Sequence, residues 1–168
     1  YNTCGINQDN TEHYIKCIKS FLNQNFDGFR VVLSSCKNSP ECIKEIFSVF
    51  KDQISYCLTP ELHTVNITFN NAVRKSVKEF GEFESYMYVD SGCWFEEDDI
   101  LQSVWNCYNS GPYGIVALQV DNDEALNVLN PNFKHSTDKI QITGEHYTIP
   151  IGKSINQHVH LFSNKIFK

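Results

Sequence analysis

One short segment combines residue types that could hold a cation at a fixed position. Residues 86–92 read Tyr-Met-Tyr-Val-Asp-Ser-Gly, an aromatic and β-branched run that stops at a carboxylate, a hydroxyl and a glycine. Such a run predicts a buried strand that ends at Asp90. Open α/β folds bind their ligands at the carboxyl ends of their strands. Asp90 is therefore the first candidate for a site residue.

The carboxylate of Asp90 suits a hard divalent cation. Mg²⁺ and Mn²⁺ prefer oxygen ligands, and one or two carboxylates often hold them together with ligand phosphates. An Asp at a strand end is also a common turn former or helix cap, and the spacing alone leaves that alternative open. The sequence contains no Walker-type phosphate loop, no dinucleotide-binding glycine motif and no G-x-S-x-G nucleophile elbow. The edge of the sheet that carries Asp90 remains as the candidate site.

Helices and short strands alternate along the first two-thirds of the chain. Apolar residues at helical spacing predict helices over 11–24, 39–50, 68–80 and 100–108. Short apolar runs predict strands over 29–33, 54–58, 86–90 and 114–120. We expect Phe47, Val77 and Phe80 on the inward faces of their helices. Strands separated by single helices predict an α/β fold with a mostly parallel central sheet flanked by helices.

Length and composition limit the classes of protein to consider. The 168 residues, 41% of them hydrophobic, predict a single domain over 1–168. The formal charge of -6 disfavours a nucleic-acid partner. No apolar run approaches the roughly 18 residues that span a bilayer, so no transmembrane segment is expected. The seven cysteines include no C-x-x-C pair and predict mostly reduced thiols in a cytoplasmic location, although one sequon at Asn66 points weakly the other way.

The order of the motifs resembles one enzyme family. A helix containing Thr68-Phe69-Asn70-Asn71-Ala72-Val73-Arg74 precedes Gly81 and the strand that closes on Asp90-Ser91-Gly92. A strand end at Tyr1-Asn2-Thr3-Cys4 and the segment Arg30-Val31-Val32-Leu33-Ser34-Ser35 come before them. This order resembles the metal-dependent GT-A fold glycosyltransferases of the family 2-like group, which use nucleotide-diphosphate sugars.

The resemblance implies a GT-A-like, Rossmann-like domain that binds such a donor with Mn²⁺ or Mg²⁺. The sugar would pass to a hydroxyl of a glycan, lipid or protein acceptor. Residues 1–121 would form the nucleotide-binding core, and 122–168 an acceptor-side region that a longer protein could continue. The implied nucleotide-sugar positions are Asn2, Thr3, Ser34, Ser35, Asn70, Arg74, Asp90 and Ser91. The base and ribose would lie against the two strand ends, and Asp90 would bind the metal that bridges both phosphates.

Two positions depart from the pattern of that family. Ser34-Ser35 stands where an acidic pair is usual, and Gly92 replaces the second acid of the Asp-x-Asp motif. Hydroxyls accept hydrogen bonds but cannot bind a base or ribose as a carboxylate does. Arg74 also fits a solvated helix face, and Asn70 fits a local turn contact. A non-catalytic nucleotide-sugar-binding or protein-binding module of the same fold is therefore the alternative hypothesis.

The last candidates lie in the second part of the chain. His158 and His160 alternate along a predicted strand, so both imidazoles would lie on one face and could reach a metal. Paired surface histidines without a ligand role are the commoner case. Asp121 and Asp123 follow a predicted strand and are candidates for the general base, with Glu145 as a weaker one.

Overall fold

The structure is a computed structural model that describes residues 1–61, 63–90, 93–111, 115–117, 141–143, 146–148 and 159–166. Its helices and strands follow in the order β1 (Asn2–Cys4), α1 (Thr11–Leu22), β2 (Val32–Cys36), α2 (Pro40–Phe50), β3 (Ser55–Thr59), α3 (Val65–Phe80), β4 (Ser85–Val89), α4 (Ile100–Asn109), β5 (Ile115–Ala117), β6 (Gln141–Thr143), β7 (His146–Thr148) and β8 (Val159–Ser163). Single 3₁₀ turns follow α2 and β8. Within these residues, no helix has the length and apolar character needed to span a bilayer.

The strands form two three-stranded sheets and a hairpin. In the first sheet β1, β2 and β3 lie side by side in that order, and both pairs are parallel. In the second sheet β8 lies between β4 and β5 and is antiparallel to both, so β4 and β5 run in the same direction. β6 and β7 pair as an antiparallel hairpin. The predicted α/β class is confirmed, and β8 adds a return strand to it.

The helices connect successive strands and pack against them because each carries an apolar face. α1 buries Tyr14, Cys17, Ile18 and Phe21, and α2 buries Cys42, Ile46 and Phe50. Leu33 of β2, Val89 of β4 and Val159 of β8 belong to the same core cluster. Each large apolar side chain that leaves water contributes about 1.5–3 kcal/mol. This shared core positions the carboxyl ends of β2 and β4.

The second strand lies a few residues later than its apolar run predicts. It covers Val32–Cys36 instead of 29–33, and its partners in β1 are opposite Ser34, Ser35 and Cys36. Both serines are nearly inaccessible to solvent, with 1% and 0% of their surface exposed. Hydrophobicity alone therefore missed the strand end, because these small polar residues are buried with their hydrogen bonds made inside the protein.

The prediction of the inward helix faces was wrong at three residues. Val77 and Phe80 of α3 are 37% and 44% exposed, and Phe47 of α2 is 53% exposed. The buried face of α3 instead carries small side chains: Thr68, Ala72 and Ser76. These residues let the helix backbone approach the first sheet closely, and the Ser34 hydroxyl donates to the Thr68 carbonyl oxygen at 2.9 Å.

Candidate functional site

Asp90 directly follows β4, at the carboxyl end of that strand, and is half-buried. Its Oδ1 atom accepts a hydrogen bond from the Tyr88 hydroxyl at 3.0 Å. Tyr88 is buried, and its ring packs edge-on against Phe69 of α3, with the ring centroids 5.5 Å apart. A buried phenol thus holds one oxygen of a partly exposed carboxylate. Sequence reasoning missed Tyr88, although alternation along a strand places residues two apart on one face.

The segment after the candidate acid is tied to the last turn of α1. The Phe95 N–H donates to the Ser20 hydroxyl oxygen at 2.9 Å. The buried Gln24 amide donates to the Glu97 carbonyl oxygen at 2.6 Å and accepts from the Leu101 N–H at 3.0 Å. We call residues 93–99 the α1 strap. These side-chain contacts place the strap and the start of α4 relative to α1.

Cys93, three residues after the candidate acid, is a half-buried thiol. The pKa of Cys93 is raised from 9.0 to about 11, mainly by burial, then by the negative charge of Asp90 and by repulsion from Cys17 when that thiol is ionised. Burial also raises the pKa of Cys17. Such thiols stay protonated at neutral pH and are poor nucleophiles and poor metal ligands. The cysteines that the structure describes as free are Cys17, Cys36, Cys42, Cys57, Cys93 and Cys107, in line with the predicted reduced thiols.

Hydrogen bonds join the carboxyl ends of β1 and β2. The Gly5 N–H donates to the Cys36 carbonyl oxygen at 2.9 Å. Asn38 Oδ1 accepts both from the Ile6 N–H at 3.2 Å and from the Ser35 hydroxyl at 2.6 Å. Gly5 has a φ of +72°, a conformation that glycine adopts without strain. The loops after β1 and β2 therefore form one connected edge.

The predicted hydroxyl ligands of the first sheet face the protein interior. Ser34 donates to Thr68 and Ser35 donates to Asn38, as described above. Thr3 lies opposite Ser35 in the β1–β2 register and is 3% exposed. Its hydroxyl has no hydrogen-bond partner among the described residues. A ligand role for these positions stays a prediction, and it would depend on backbone atoms or on neighbouring side chains.

The predicted residues of α3 lie on its exposed face. Asn70 and Arg74 are exposed and one turn apart, and Arg74 Nη1 lies 3.4 Å from Asn71 Oδ1. Because α3 leads from the carboxyl end of β3 to the amino end of β4, Asn70 is nearer than Arg74 to the edge that carries Asp90. Asn70 also follows Phe69, whose ring contacts Tyr88. Asn70 and Asp90 therefore share one end of the sheet, whereas Arg74 lies farther along the helix.

Lys37 is an exposed cation at this edge that sequence reasoning missed. It directly follows β2, its N–H donates to the Thr59 carbonyl oxygen at 3.1 Å, and its φ is +53°. In the described part of the chain, Lys51 at the end of α2, with a φ of +45°, is the other non-glycine residue with a positive φ. A left-handed conformation costs an L-residue about 1–2 kcal/mol, and such strain is concentrated at functional sites. The available signal was a lysine two residues after the serine pair.

The remaining candidates divide into one buried residue and several that lie outside the described residues. His160 of β8 lies opposite Tyr88 and is 7% exposed, and its ring contacts Phe162 with centroids 5.8 Å apart. It is therefore packed within the second sheet. The candidates outside the described residues are Ser91, Asp121, Asp123, Glu145 and His158.

The chemistry of Asp90 fits a cation that arrives with a phosphate ligand. In the part of the chain that the structure describes, no group of three or more His, Cys, Asp or Glu side chains is arranged to hold a metal ion. Mg²⁺ nevertheless often needs only one or two carboxylates, since substrate phosphates and water fill the other positions. Asp90 is a partly exposed carboxylate, the type of side chain that acts as such an oxygen ligand.

A cavity of about 650 Å³ lies between the first sheet and β4. Its lining is mainly apolar and includes Tyr1, Ala72, Met87 and Val104. Asp90 and Lys37 do not line it. Ser34 and Tyr88 do line it, so the cavity reaches the candidate site from the inner side of the two strands.

Comparison with known proteins identifies the type of fold. No known protein family matches the sequence, and no curated protein matches it. The chain is similar in structure to a mannosyltransferase, PcManGT from Pyrobaculum calidifontis, solved in complex with GDP-Man and Mn²⁺. The two are 13% identical with a TM-score of 0.64, and the match covers 99% of this chain and 45% of that chain. At this identity the similarity shows the fold alone: the chain has a glycosyltransferase-like α/β fold and spans less than half of the solved chain.

Proposed function

We propose that this chain binds a nucleotide-diphosphate sugar with a divalent cation and transfers the sugar to a hydroxyl of a glycan, lipid or protein acceptor. The observation that carries the proposal is a carboxylate, Asp90, which Tyr88 holds at the carboxyl end of β4 in a glycosyltransferase-like fold. The similar mannosyltransferase was solved with a nucleotide sugar and Mn²⁺, which is a ligand pair of this class.

The proposed chemistry depends on neutralising the diphosphate as it leaves. A bound Mn²⁺ or Mg²⁺ would act as a Lewis acid that stabilises the charge on the departing nucleoside diphosphate. Asp90 would hold this ion, and Tyr88 orients its carboxylate. Asn70 would lie beside the ribose or diphosphate, and Arg74 would add a positive charge. Asp121 stays the proposed general base for the acceptor hydroxyl.

The base and ribose are proposed to lie against the ends of β1 and β2. Asn2 and Thr3 belong to the first of these strands, and Ser34 and Ser35 lie opposite them in the second. The two serine hydroxyls donate to groups inside the protein. Ser34 and Ser35 would therefore contact the base and ribose through their backbone atoms, at the ordered end of the strand. A preformed edge of this kind reduces the entropy lost on binding.

Replacing the candidate acid tests the proposal. Asp90→Ala should abolish the Mn²⁺-dependent part of GDP and UDP binding, measured by calorimetry with and without Mn²⁺. Asp52→Ala is a matched control, because Asp52 is an exposed carboxylate in the turn after α2, at the opposite end of the sheet. The control should bind like the wild type. Equal affinities in Asp90→Ala and the wild type would remove Asp90 from the site.

The alternative is a non-catalytic nucleotide-sugar-binding or protein-binding module of the same fold. It is favoured by the inward-facing hydroxyls of Ser34 and Ser35, which stand where the resemblance implies carboxylates. Hydrolysis of the donor without an acceptor separates the two functions. A transferase should release nucleoside diphosphate slowly from a GDP- or UDP-linked sugar, whereas a binding module should bind the donor and leave it intact.

A further inference from the structure

We infer that Lys37 selects the nucleobase of the donor, through a hydrogen bond from its ammonium group to a carbonyl oxygen of the base. The inference rests on the proposed function, since it concerns the same nucleotide. It assigns a role to an exposed residue at the end of β2 that neither the motifs nor the fold comparison singles out.

The strand order keeps Lys37 more than one strand position away from the candidate metal ligand. Lys37 follows β2, Asp90 follows β4, and β1 pairs with β2. Val32 and Ser34 of β2 line the same cavity as the whole of β4, and β2 has β1 and β3 on its two sides, so β4 lies at least two strand positions from β2. Neighbouring strands lie about 4.8 Å apart, which separates the two residues by about 10 Å or more along the edge. This separation leaves room for a nucleoside between a diphosphate held at Asp90 and the side chain of Lys37.

The donor and acceptor chemistry at this point favours a carbonyl-bearing base. The Ser34 and Ser35 hydroxyls donate to Thr68 and Asn38 inside the protein, whereas Lys37 is exposed. An ammonium group has three donors and no acceptor. It can pair with guanine O6 or uracil O4, whereas adenine and cytosine present an amino group at the corresponding position. Lys37 would therefore favour guanine over adenine and uracil over cytosine.

The backbone conformation of Lys37 also supports a ligand role. The positive φ of Lys51 has a structural explanation, because Lys51 ends α2 and its N–H donates to the Phe47 carbonyl oxygen. Lys37 follows a strand instead of a helix, its N–H donates to the Thr59 carbonyl oxygen, and its φ is +53°. Glycine would adopt this conformation without strain. A lysine that remains in a strained position at a ligand-binding edge is expected where its side chain contacts the ligand.

A matched pair of glycine variants separates the ligand role from the backbone effect. Lys37→Gly and Lys51→Gly both relieve a positive φ and both remove one exposed ammonium group. We expect both variants to unfold at the wild-type temperature or above it. With Mn²⁺ present, the wild type should bind GDP more tightly than ADP and UDP more tightly than CDP by about tenfold, as for one charge-assisted hydrogen bond. Lys37→Gly should reduce both ratios to about twofold, and Lys51→Gly should leave them unchanged.

The outcomes distinguish this inference from the proposed function. If Asp90→Ala loses Mn²⁺-dependent binding while Lys37→Gly keeps the wild-type base preference, the inference is wrong and the proposed function stands. The inference is also overturned if Lys51→Gly loses the base preference to the same extent as Lys37→Gly. It is overturned as well if the wild type binds GDP and ADP, or UDP and CDP, with equal affinity. A wild type that binds no nucleotide overturns both.

Discussion

Tyr88→Phe tests whether Asp90 is held in position before a ligand binds. The change removes only the hydroxyl that donates to Asp90 Oδ1 at 3.0 Å and keeps the ring contact with Phe69. A hydrogen bond to a charged group contributes about 1.5–3 kcal/mol. Because Asp90 is half-buried, water can replace part of that interaction, and we expect a loss of about 1 kcal/mol. This corresponds to Mn²⁺-dependent GDP binding that is about fivefold weaker.

The control for this experiment is Tyr86→Phe in the same strand. Tyr86 and Tyr88 are both buried and lie on one face of β4, but the Tyr86 hydroxyl accepts a long hydrogen bond, 3.4 Å, from the Phe83 N–H. Calorimetry with GDP and Mn²⁺ should show wild-type affinity for Tyr86→Phe. Thermal unfolding of both variants identifies any general loss of structure. Wild-type affinity in Tyr88→Phe, or an equal loss in Tyr86→Phe, would refute the positioning role of Tyr88.

Two further predictions concern the α1 strap and Cys93, the first residue of that segment. Gln24→Leu should lower the free energy of unfolding in urea by about 2 kcal/mol, because the Leu101 N–H and the Glu97 carbonyl lose their buried partner. Gln102→Leu on the exposed face of α4 should cost less than about 0.5 kcal/mol, and equal effects would show that Gln24 does not hold the strap. The raised pKa of Cys93 predicts a loss of stability as pH rises from 9.0 to about 11, because the folded protein keeps a proton that the unfolded chain has released. Cys93→Ser should flatten this part of the unfolding free-energy profile, and an unchanged slope would argue against burial of that thiol.

Local signals along the chain were enough to predict most helices and the position of Asp90. Gly81 ends α3 with a φ of +85°, as its place after the periodic residues indicates. Pro40 begins α2, and the strand before Asp90 is shifted from the prediction by one residue. These features depend on residues close together in sequence, through backbone preference, helical periodicity and strand alternation.

The sequence by itself determined the α/β class and the presence of a carboxylate at a strand end. Only the tertiary structure decided that β8 inserts between β4 and β5, because that pairing joins segments far apart in the chain. It also decided that Ser34 and Ser35 face inward, since their hydrogen-bond partners lie in α3 and in the loop after β2. The hydrogen bond from the Lys37 N–H to Thr59 of β3 likewise joins two strands that only the fold brings together. Local sequence preferences determine where the helices and strands form, whereas long-range hydrogen bonds and packing determine which side chains reach the candidate site.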